Sequence, residues 1–217
     1  MEMGFKNTEV FNFSGAFRGM RNPMNSWKLS DSYYDNYNYT HDDRCFKIGE
    51  KDLKLAQKLI KAGGEHRKFL RMIHVCTDAT LPRYLWSELD TYHFGTKNSC
   101  STMHKLLNTK EPITPDLFLS CEEDLPLLNT IIAELEKLRF QYHNDKLVQK
   151  EKDRLLLRAK RLLPEGYLQM RTWDTNYEEI RNIYYQRKNH RLKEEWQDCF
   201  CKWVESLPHA KELILFN

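Results

Sequence analysis

The second half of the chain repeats apolar residues at the spacing of an α-helix, and this pattern limits the architectures that the chain can adopt. Asp124 suits the N-cap of a helix, and Pro126 lies just inside that helix. The apolar residues that then share one helical face are Leu128, Ile132, Leu135 and Leu138. A second helix is predicted from about Lys146 to Leu162. The chain is therefore predicted to be mostly helical.

Shorter patterns in the first half predict strands and one further helix. An N-terminal strand is predicted from Glu9 to Ser14, and a buried strand is predicted from Phe69 to Thr77. A helical pattern begins at Glu50 and is ended by Gly63-Gly64. Its apolar face consists of Leu53, Ala56, Leu59 and Ile60.

Three more helix signals follow along the chain. Pro82 is predicted to lie in the first turn of a helix that continues through Leu89. Thr175 and Glu178 have the spacing of a capping box, which predicts that a helix begins there. The last helix is predicted to stop before Pro208. Its apolar residues are Trp196, Phe200, Trp203 and Val204.

The segment from Ser30 to Asp43 is polar and rich in tyrosine, and it lacks helical or strand periodicity. It is therefore predicted to be a long loop. Tyrosines in such a loop could stack on a base, or they could cover the surface or contact a partner. The sequence leaves both interpretations open.

Length and composition favour one domain that spans residues 1–217, because 217 residues with 41% hydrophobic content can build one substantial core. Lys and Arg total 34 against 31 acidic residues, and the net charge of +3 does not predict nucleic-acid binding without a local basic patch. No segment approaches the roughly 18 consecutive apolar residues of a membrane span, and the start lacks a signal-peptide pattern. The sequence predicts a soluble, cytoplasmic protein.

The common catalytic and metal-binding motifs do not occur in this sequence. Its six cysteines are scattered, without a CxxC pair or the Cys/His spacing of a zinc site. They are expected to be reduced thiols, and Cys100 is interpreted as a small packing residue. No Gly-rich phosphate loop, HExxH or GxSxG is present. No metal site is therefore predicted.

Two polar clusters remain as candidates for binding or catalysis. The stretch from Tyr92 to Lys105 combines hydroxyls, an amide, two histidines and two lysines, which suits a phosphate or sugar that needs many donors. The same residue types also form turns and helix caps. The basic run from Arg187 to Arg191 could bind an anion, or it could be a solvated helix end that complements the helix dipole.

The run from Leu163 to Asn176, continued by Ile180, Asn182 and Arg187, resembles the flavin-dependent thymidylate synthases. In that family a Leu-Pro precedes an aromatic-rich strand, a Trp-x-x-Asn and a helix with a flavin-contacting Asn and a nucleotide-contacting Arg. The spacing matches without a gap. The similarity covers about fifty residues well. It implies an α+β fold in which long helices pack on a small, mainly antiparallel sheet.

The resemblance also implies roles for individual residues. Asn176 and Asn182 stand where the family contacts FAD, and Arg187 stands where the family contacts the pyrimidine of deoxyuridine monophosphate (dUMP). A guanidinium beside the uracil carbonyl would stabilise negative charge on the ring and make its C5 carbon nucleophilic without an enzyme thiol. Lys160 replaces an Arg that binds the nucleotide phosphate. A lysine serves phosphate as a point charge.

The family signature Arg-His-Arg-x-x-Ser-x-Asn-x-x-Ser-x-Arg finds its nearest match between Thr91 and Met103, where all three arginines are absent. His93 and Asn98 are expected to contact the cofactor, and Ser101 the substrate. Each missing arginine removes charge-assisted bonds of about 1.5 to 3 kcal/mol unless another residue substitutes. The residues considered as substitutes are His93, Lys97, His104 and Lys105.

A further departure is Glu178, which stands where the family has an arginine that faces the flavin. Its side chain would bring a negative charge toward the flavin diphosphate. A capping-box contact with Thr175 is a sufficient alternative explanation.

Three hypotheses about function follow. In the first, the chain methylates dUMP or a related pyrimidine nucleotide with FAD, NADPH and methylenetetrahydrofolate, in a homotetramer. In the second, it is a nucleotide-binding or regulatory homologue with altered catalysis, because fold alone does not fix function. In the third, it binds nucleic acid or a protein partner through basic helices. The residues behind the third hypothesis are Arg154, Arg158, Lys160 and Arg161.

Overall fold

Helices and one small sheet dominate the computed structural model, which describes residues 1–35 and 45–217. The fold is α+β with a small antiparallel sheet, as predicted. The strands are β1 (Gly4–Phe11), β2 (Tyr33–Tyr34), β3 (Phe46–Lys47), β4 (His74–Pro82), β5 (Thr96–Ser99) and β6 (Leu168–Asn176). Four of them form one sheet in the order β1-β4-β6-β5, and β2 pairs with β3 in a separate antiparallel ribbon.

Nine α-helices lie in the described ranges. They are α1 (Phe13–Met20), α2 (Glu50–Lys61), α3 (Arg83–Leu89), α4 (Thr102–Lys105), α5 (Leu125–Tyr142), α6 (Gln149–Leu162), α7 (Tyr177–Arg187), α8 (Lys202–Glu205) and α9 (Ala210–Leu213). A π-helical segment, Lys193–Cys201, leads directly into α8. Every helix in these ranges is too short or too polar to span a lipid bilayer.

The described residues cluster into two compact units. The first unit comprises Met1–Gly4, Ala79–Thr91 and Asn98–Arg171, and the second comprises Phe5–Asp78, Tyr92–Lys97 and Thr172–Asn217. The prediction of a single domain over residues 1–217 stays a prediction.

The core of the first unit forms where α5 and α6 pack together. Leu135 and Ala159 are fully buried there, and the helical periodicity predicted the burial of Leu135. The cluster consists of Leu106, Leu107, Ile113, Phe118, Leu128, Ile132, Leu135, Leu138, Leu156, Ala159 and Leu163. Arg139 is buried beside it, and its guanidinium donates to both oxygens of Glu136 at 2.7 and 2.8 Å.

The core of the second unit is rich in aromatic side chains. The Phe13 ring packs against Phe46 and Tyr177 at centroid distances of 5.7 and 5.6 Å. Tyr177 also donates its hydroxyl to the Pro208 carbonyl oxygen at 2.6 Å. Helix α7 buries Tyr177, Ile180 and Ile183 and exposes Asn182 and Gln186. The exposed polar side chains of α7 therefore form a stripe that is accessible to a ligand.

Several predicted boundaries differ from the structure. The N-terminal strand is β1, which ends at Phe11, so the prediction of a strand through Ser14 is wrong: Ser14 lies in α1. Residues Lys68–Met72 form a 3₁₀ turn, and the strand predicted from Phe69 begins only at His74. Burial of Phe69 and Leu70 gave that turn the apolar pattern of a strand.

Helix boundaries also shift by a few residues. Pro82 ends β4 and precedes α3, so it lies outside the first turn where it was predicted. Helix α6 begins at Gln149 because Glu151 accepts a hydrogen bond from the Val148 backbone nitrogen at 3.1 Å. Most of the predicted tyrosine-rich loop, from residue 36 onwards, lies outside the described residues. Within its described part, Tyr33–Tyr34 forms β2.

The segment that leads to β2 is anchored by a buried carboxylate. Asp52 is fully buried in α2 and accepts hydrogen bonds from Arg21 Nε at 2.5 Å, Ser30 Oγ at 2.7 Å and Ser32 Oγ at 2.6 Å. Burial raises the pKa of Asp52, but the bonds from Ser32, Ser30 and Arg21 outweigh it and hold the pKa below its ordinary value. Asp31 caps α2 by accepting from the Asp52 nitrogen at 3.0 Å.

This arrangement predicts a pH-dependent loss of stability in the Asp52→Asn variant. Near neutral pH the variant should lose about 3 kcal/mol of unfolding free energy, because Arg21 is left buried without its charge partner. The lowered pKa stabilises the fold above the ordinary carboxyl pKa of 3.8, and that stabilisation disappears as pH falls through the pKa of the folded protein. Urea unfolding of the wild type and the variant should therefore show a difference in unfolding free energy that becomes smaller in acid.

Glu65→Gln is the matched control, because Glu65 pairs with Lys68 on the surface at 3.1 Å. That variant should unfold like the wild type. An Asp52→Asn variant as stable as the wild type at neutral pH would contradict the assigned role of Asp52.

Candidate functional site

The polar stripe of α7 starts at its N-cap, which is Asn176. The Asn176 side-chain oxygen accepts a hydrogen bond from the Glu179 nitrogen at 3.0 Å. The predicted capping box between Thr175 and Glu178 is therefore wrong. Thr175 still belongs to β6 and donates its hydroxyl to the Phe94 carbonyl oxygen at 2.9 Å. Because of this long-range bond, the Thr175 hydroxyl does not cap the helix.

The segment Tyr92–Lys97 is fixed against α7 and β6 within the second unit. Its Phe94 carbonyl oxygen accepts from the Thr175 hydroxyl, and its Phe94 nitrogen faces the Glu179 carboxylate. A Cβ on Gly95 would lie 2.5 Å from Trp173 Nε1 and 2.8 Å from the Asp174 carbonyl oxygen. Only glycine fits at this close approach. We call the polar stripe of α7, together with the segment Tyr92–Lys97, the α7 site.

Glu179 lies at the centre of the α7 site and was not among the predicted site residues. Only 6% of it is exposed. Burial raises its pKa; the Phe94 backbone bond, the Asn182 amide and the nearby His93 oppose this, while the Glu178 charge adds to it. A carboxyl with a raised pKa among cofactor-binding candidates is a candidate functional group. The signal for it was its spacing of three from Asn176 and three from Asn182 on one helix face.

Arg187 lies at the C-terminal end of the stripe and is held by two aromatic side chains. Its Nε donates to the Tyr92 hydroxyl oxygen at 2.9 Å. Its guanidinium lies 4.6 Å from the centroid of the Trp196 ring, which is fully buried on the π-helical segment, and 5.6 Å from that of Tyr92. The guanidinium plane is therefore oriented while the residue stays half-exposed.

A continuous set of hydrogen bonds links Arg187 to the rest of the stripe. Tyr92 donates its hydroxyl to Gln186 Oε1 at 3.0 Å, and Gln186 Nε2 donates to Asn182 Oδ1 at 2.9 Å. Asn182 was predicted to contact the flavin, and within the chain its amide oxygen accepts from Gln186.

The negative charge of Glu178 is neutralised within the second unit. Arg67 Nε donates to both Glu178 oxygens at 2.9 Å, and the two side chains are 25% and 13% exposed, respectively. Glu178 therefore presents an ion pair to its surroundings, where the sequence alone suggested an isolated negative charge.

The structure brings four predicted site residues into the second unit: His93, Asn176, Asn182 and Arg187. The other three lie in the first unit. Asn98 is exposed on β5, and Lys160 is half-buried in the last turn of α6. Ser101 caps α4, since its Oγ accepts from the His104 nitrogen at 3.3 Å. The helix-cap interpretation of this cluster thus holds for Ser101.

The cysteines Cys100, Cys199 and Cys201 differ in their exposure. Cys100 is exposed, so its interpretation as a packing residue is wrong. Burial raises the pKa of both Cys199 and Cys201 to about 11, which keeps them protonated at neutral pH. Arg154 and Arg158 line a shallow cleft of about 300 Å³ in the first unit. Within the described ranges no cluster of His, Cys, Asp and Glu is arranged to hold a metal ion.

Comparisons with known proteins identify the fold. No family model matches the sequence, and no curated protein matches it. The fold is similar to a crystal structure of thymidylate synthase X (ThyX) from Helicobacter pylori with FAD and dUMP, with a TM-score of 0.69, 18% identity, and coverage of 99% of this chain and 97% of that chain.

A second crystal structure of the flavin-dependent thymidylate synthase ThyX from Helicobacter pylori, complexed with FAD and dUMP, is similar over 100% of this chain and 98% of that chain. Its TM-score is 0.68 and its identity to this chain is 20%. At such identities the similarity establishes the fold, and it confirms the fold implied by residues 163–187.

The close approach of Gly95 to β6 predicts the effect of adding one methyl group. Gly95→Ala should displace the Tyr92–Lys97 segment and destabilise the protein by about 1 to 3 kcal/mol, because a Cβ would overlap Trp173 and the strand backbone. Tryptophan fluorescence should change with it. Gly64→Ala is the control, since its Cβ would meet no atom within 4 Å. Equal stability of both variants in urea unfolding would contradict the close packing.

Proposed function

We propose that this chain is a divergent flavin-dependent thymidylate synthase that methylates dUMP or a related pyrimidine nucleotide. The observation that carries the proposal is the fixed guanidinium of Arg187 at the end of α7, held by Tyr92 and Trp196. Two ThyX structures of the same fold hold FAD and dUMP. The first and second hypotheses account for both the fold and the orientation of Arg187, whereas the third accounts for neither.

Arg187 would act on the pyrimidine ring. Its guanidinium is charged at every physiological pH and carries a planar set of donors, and it would stabilise negative charge that develops on a uracil carbonyl oxygen. Such charge makes C5 of the ring nucleophilic. No side-chain thiol is required, in agreement with the raised pKa values of Cys199 and Cys201.

The α7 site contains hydrogen-bond donors of the kinds that bind a flavin nucleotide. FAD would relay the hydride from NADPH, and methylenetetrahydrofolate would supply the carbon. Asn176 uses its oxygen as the helix cap, so its amide nitrogen stays available to the flavin, beside the exposed His93. Gly95 lets the backbone of this segment lie close to β6.

Arg67 would take over the charge of the arginine that the family has at position 178. Its Nε is bonded to Glu178, which leaves the two terminal nitrogens of the guanidinium to meet a phosphate. The ion pair thus places a cation where the replacement by glutamate removed one. This substitution would offset part of the loss of the three signature arginines.

The first unit would supply the nucleotide phosphate contacts. Lys160 would bind the phosphate as a point charge, and Asn98 and Ser101 would donate to the cofactor and substrate respectively. We propose a homotetramer with sites between subunits, as in the related enzymes that the sequence resembles.

One observation favours the second candidate, a nucleotide-binding homologue with altered catalysis. The Asn182 amide oxygen is bonded to Gln186, and the signature arginines are absent between Thr91 and Met103. Such a protein would retain dUMP binding through Arg187 without turnover. The first candidate would bind FAD, whereas the second candidate would not.

Flavin retention and nucleotide binding test the proposal together. After addition of FAD and removal of the excess, the wild type should keep visible flavin absorbance that changes when dUMP is added. Arg187→Ala should weaken dUMP binding by about tenfold to a hundredfold, since charge-assisted bonds of about 1.5 to 3 kcal/mol are lost.

Arg191→Ala provides the control, because it removes one positive charge from the same basic run at an exposed position. It should bind dUMP like the wild type. A colourless wild type that still binds dUMP would favour the second candidate. Equal dUMP affinity of all three proteins would remove Arg187 from the site.

A further inference from the structure

The C-terminal end of α5, the loop after it and α6 line a cleft of about 300 Å³ within the first unit. The proposed function does not use this cleft. Its volume suits one small molecule. The charged residues that line it are Arg154 and Arg158 on α6, together with Glu151 in the first turn of the same helix.

The two arginines are placed to act on one anion. Arg154 and Arg158 are four residues apart, so their side chains leave the same face of α6. Both residues are exposed, and within the described part of the chain neither forms an ion pair or a hydrogen bond. Like charges at this spacing repel each other. An anion between the two guanidiniums would remove that repulsion and accept from both of them.

The carboxylates of α6 leave the charge of these arginines in place. Glu151 accepts from the Val148 backbone nitrogen at 3.1 Å, and Asp153 accepts from Gln149 Nε2 at 2.8 Å. Neither carboxylate forms an ion pair with the two arginines. Residues 149–162 carry six basic and two acidic side chains, so the potential around the cleft is positive.

Neutral donors and apolar side chains complete the lining. Asn144 Oδ1 accepts from the Lys146 nitrogen at 3.0 Å, which leaves the Asn144 Nδ2 group for a ligand. Gln141 also lines the cleft, and its side chain has no hydrogen-bond partner among the described residues. Leu147 and Leu155 are half-buried there. The cleft thus offers charged donors, amide donors and an apolar surface to one ligand.

We propose that this cleft binds a small organic phosphate, namely a phosphate monoester with a compact apolar group. Near neutral pH a monoester carries nearly two negative charges and three acceptor oxygens. These match two guanidiniums and the neighbouring amide donors. A carboxylate has one charge and two oxygens, which match only one guanidinium. The apolar group would lie against Leu147 and Leu155.

The shape of the cleft favours this ligand over a polynucleotide, which was a partner considered in the third hypothesis. A polynucleotide is bound along a basic surface that follows its backbone over several phosphates. Lys160 and Arg161 belong to the same helix but do not line the cleft. The two arginines that do line it are one turn apart and converge on one phosphate.

Equilibrium dialysis of the full chain against phenyl phosphate tests the proposal. Arg154→Ala and Arg158→Ala should each weaken binding by about tenfold, because each removes charge-assisted hydrogen bonds to the phosphate. Arg161→Ala is the matched control, since it removes the same charge from an exposed position of α6 outside the cleft. It should bind phenyl phosphate like the wild type.

Two further measurements support the comparison. All three substitutions change exposed residues, so urea unfolding of the variants should match that of the wild type. Benzoate should bind to the wild type about tenfold more weakly than phenyl phosphate, because it keeps the ring but carries one charge fewer. Inorganic phosphate should bind about threefold more weakly, because it lacks the apolar group.

Three results would overturn the proposal. The first is equal affinity of the wild type, Arg154→Ala and Arg158→Ala for phenyl phosphate, which includes the absence of binding by all of them. The second is an equal loss of affinity in Arg161→Ala, because the phosphate would then be attracted by the overall charge of α6. The third is benzoate binding as tight as that of phenyl phosphate, which would remove the assignment to phosphates.

Discussion

The Phe94 backbone is the contact on which the α7 site depends. Thr175 donates its hydroxyl to the carbonyl oxygen, Glu179 faces the nitrogen, and both of these side chains are buried. A buried hydroxyl or carboxylate without a hydrogen-bond partner is unfavourable, so loss of either contact with the segment would cost free energy. The contact places Tyr92 beside Arg187 and Gly95 against Trp173. The bond from Thr175 to the Phe94 carbonyl oxygen thus helps to hold Tyr92 beside Arg187.

Charge is rearranged around this contact. The signature arginines are missing, and Glu178 reverses a positive position. The ion pair with Arg67 neutralises the charge of Glu178 within the second unit. Under the proposed function, Arg67 would supply positive charge from a different part of the chain, which a comparison of aligned positions cannot detect. A fold can keep its site while the residues that provide its charges change place.

The sequence predicted the elements whose signals are local. Helix α5 shows this most clearly, since its apolar residues repeat with helical spacing and Leu135 is fully buried. The capping box failed because Thr175 and Asn176 are both capping residues, and a long-range bond to Phe94 decides between them. Glu179 was missed for the same reason. Its significance comes from Phe94, which lies far away in the sequence.

The prediction of the fold class depended both on periodicity and on the family resemblance. Periodicity predicted the helices, while the sheet was implied by the resemblance of residues 163–187, because short strands such as Thr96–Ser99 carry little periodic signal. The structure places Asn176 at the N-cap of α7 and Arg187 at the C-terminal end of that helix. Their contacts could not be predicted, since Tyr92, Trp196 and Glu179 are brought to α7 by the tertiary fold.

The central claim is that the Arg187 end of α7 activates a pyrimidine nucleotide for methylation. The most direct measurement is product formation from dUMP in the presence of FAD, NADPH and methylenetetrahydrofolate, with the wild type and Arg187→Ala assayed side by side. The account predicts thymidylate from the wild type and none above background from the variant. A wild type that binds both FAD and dUMP yet forms no thymidylate would contradict it.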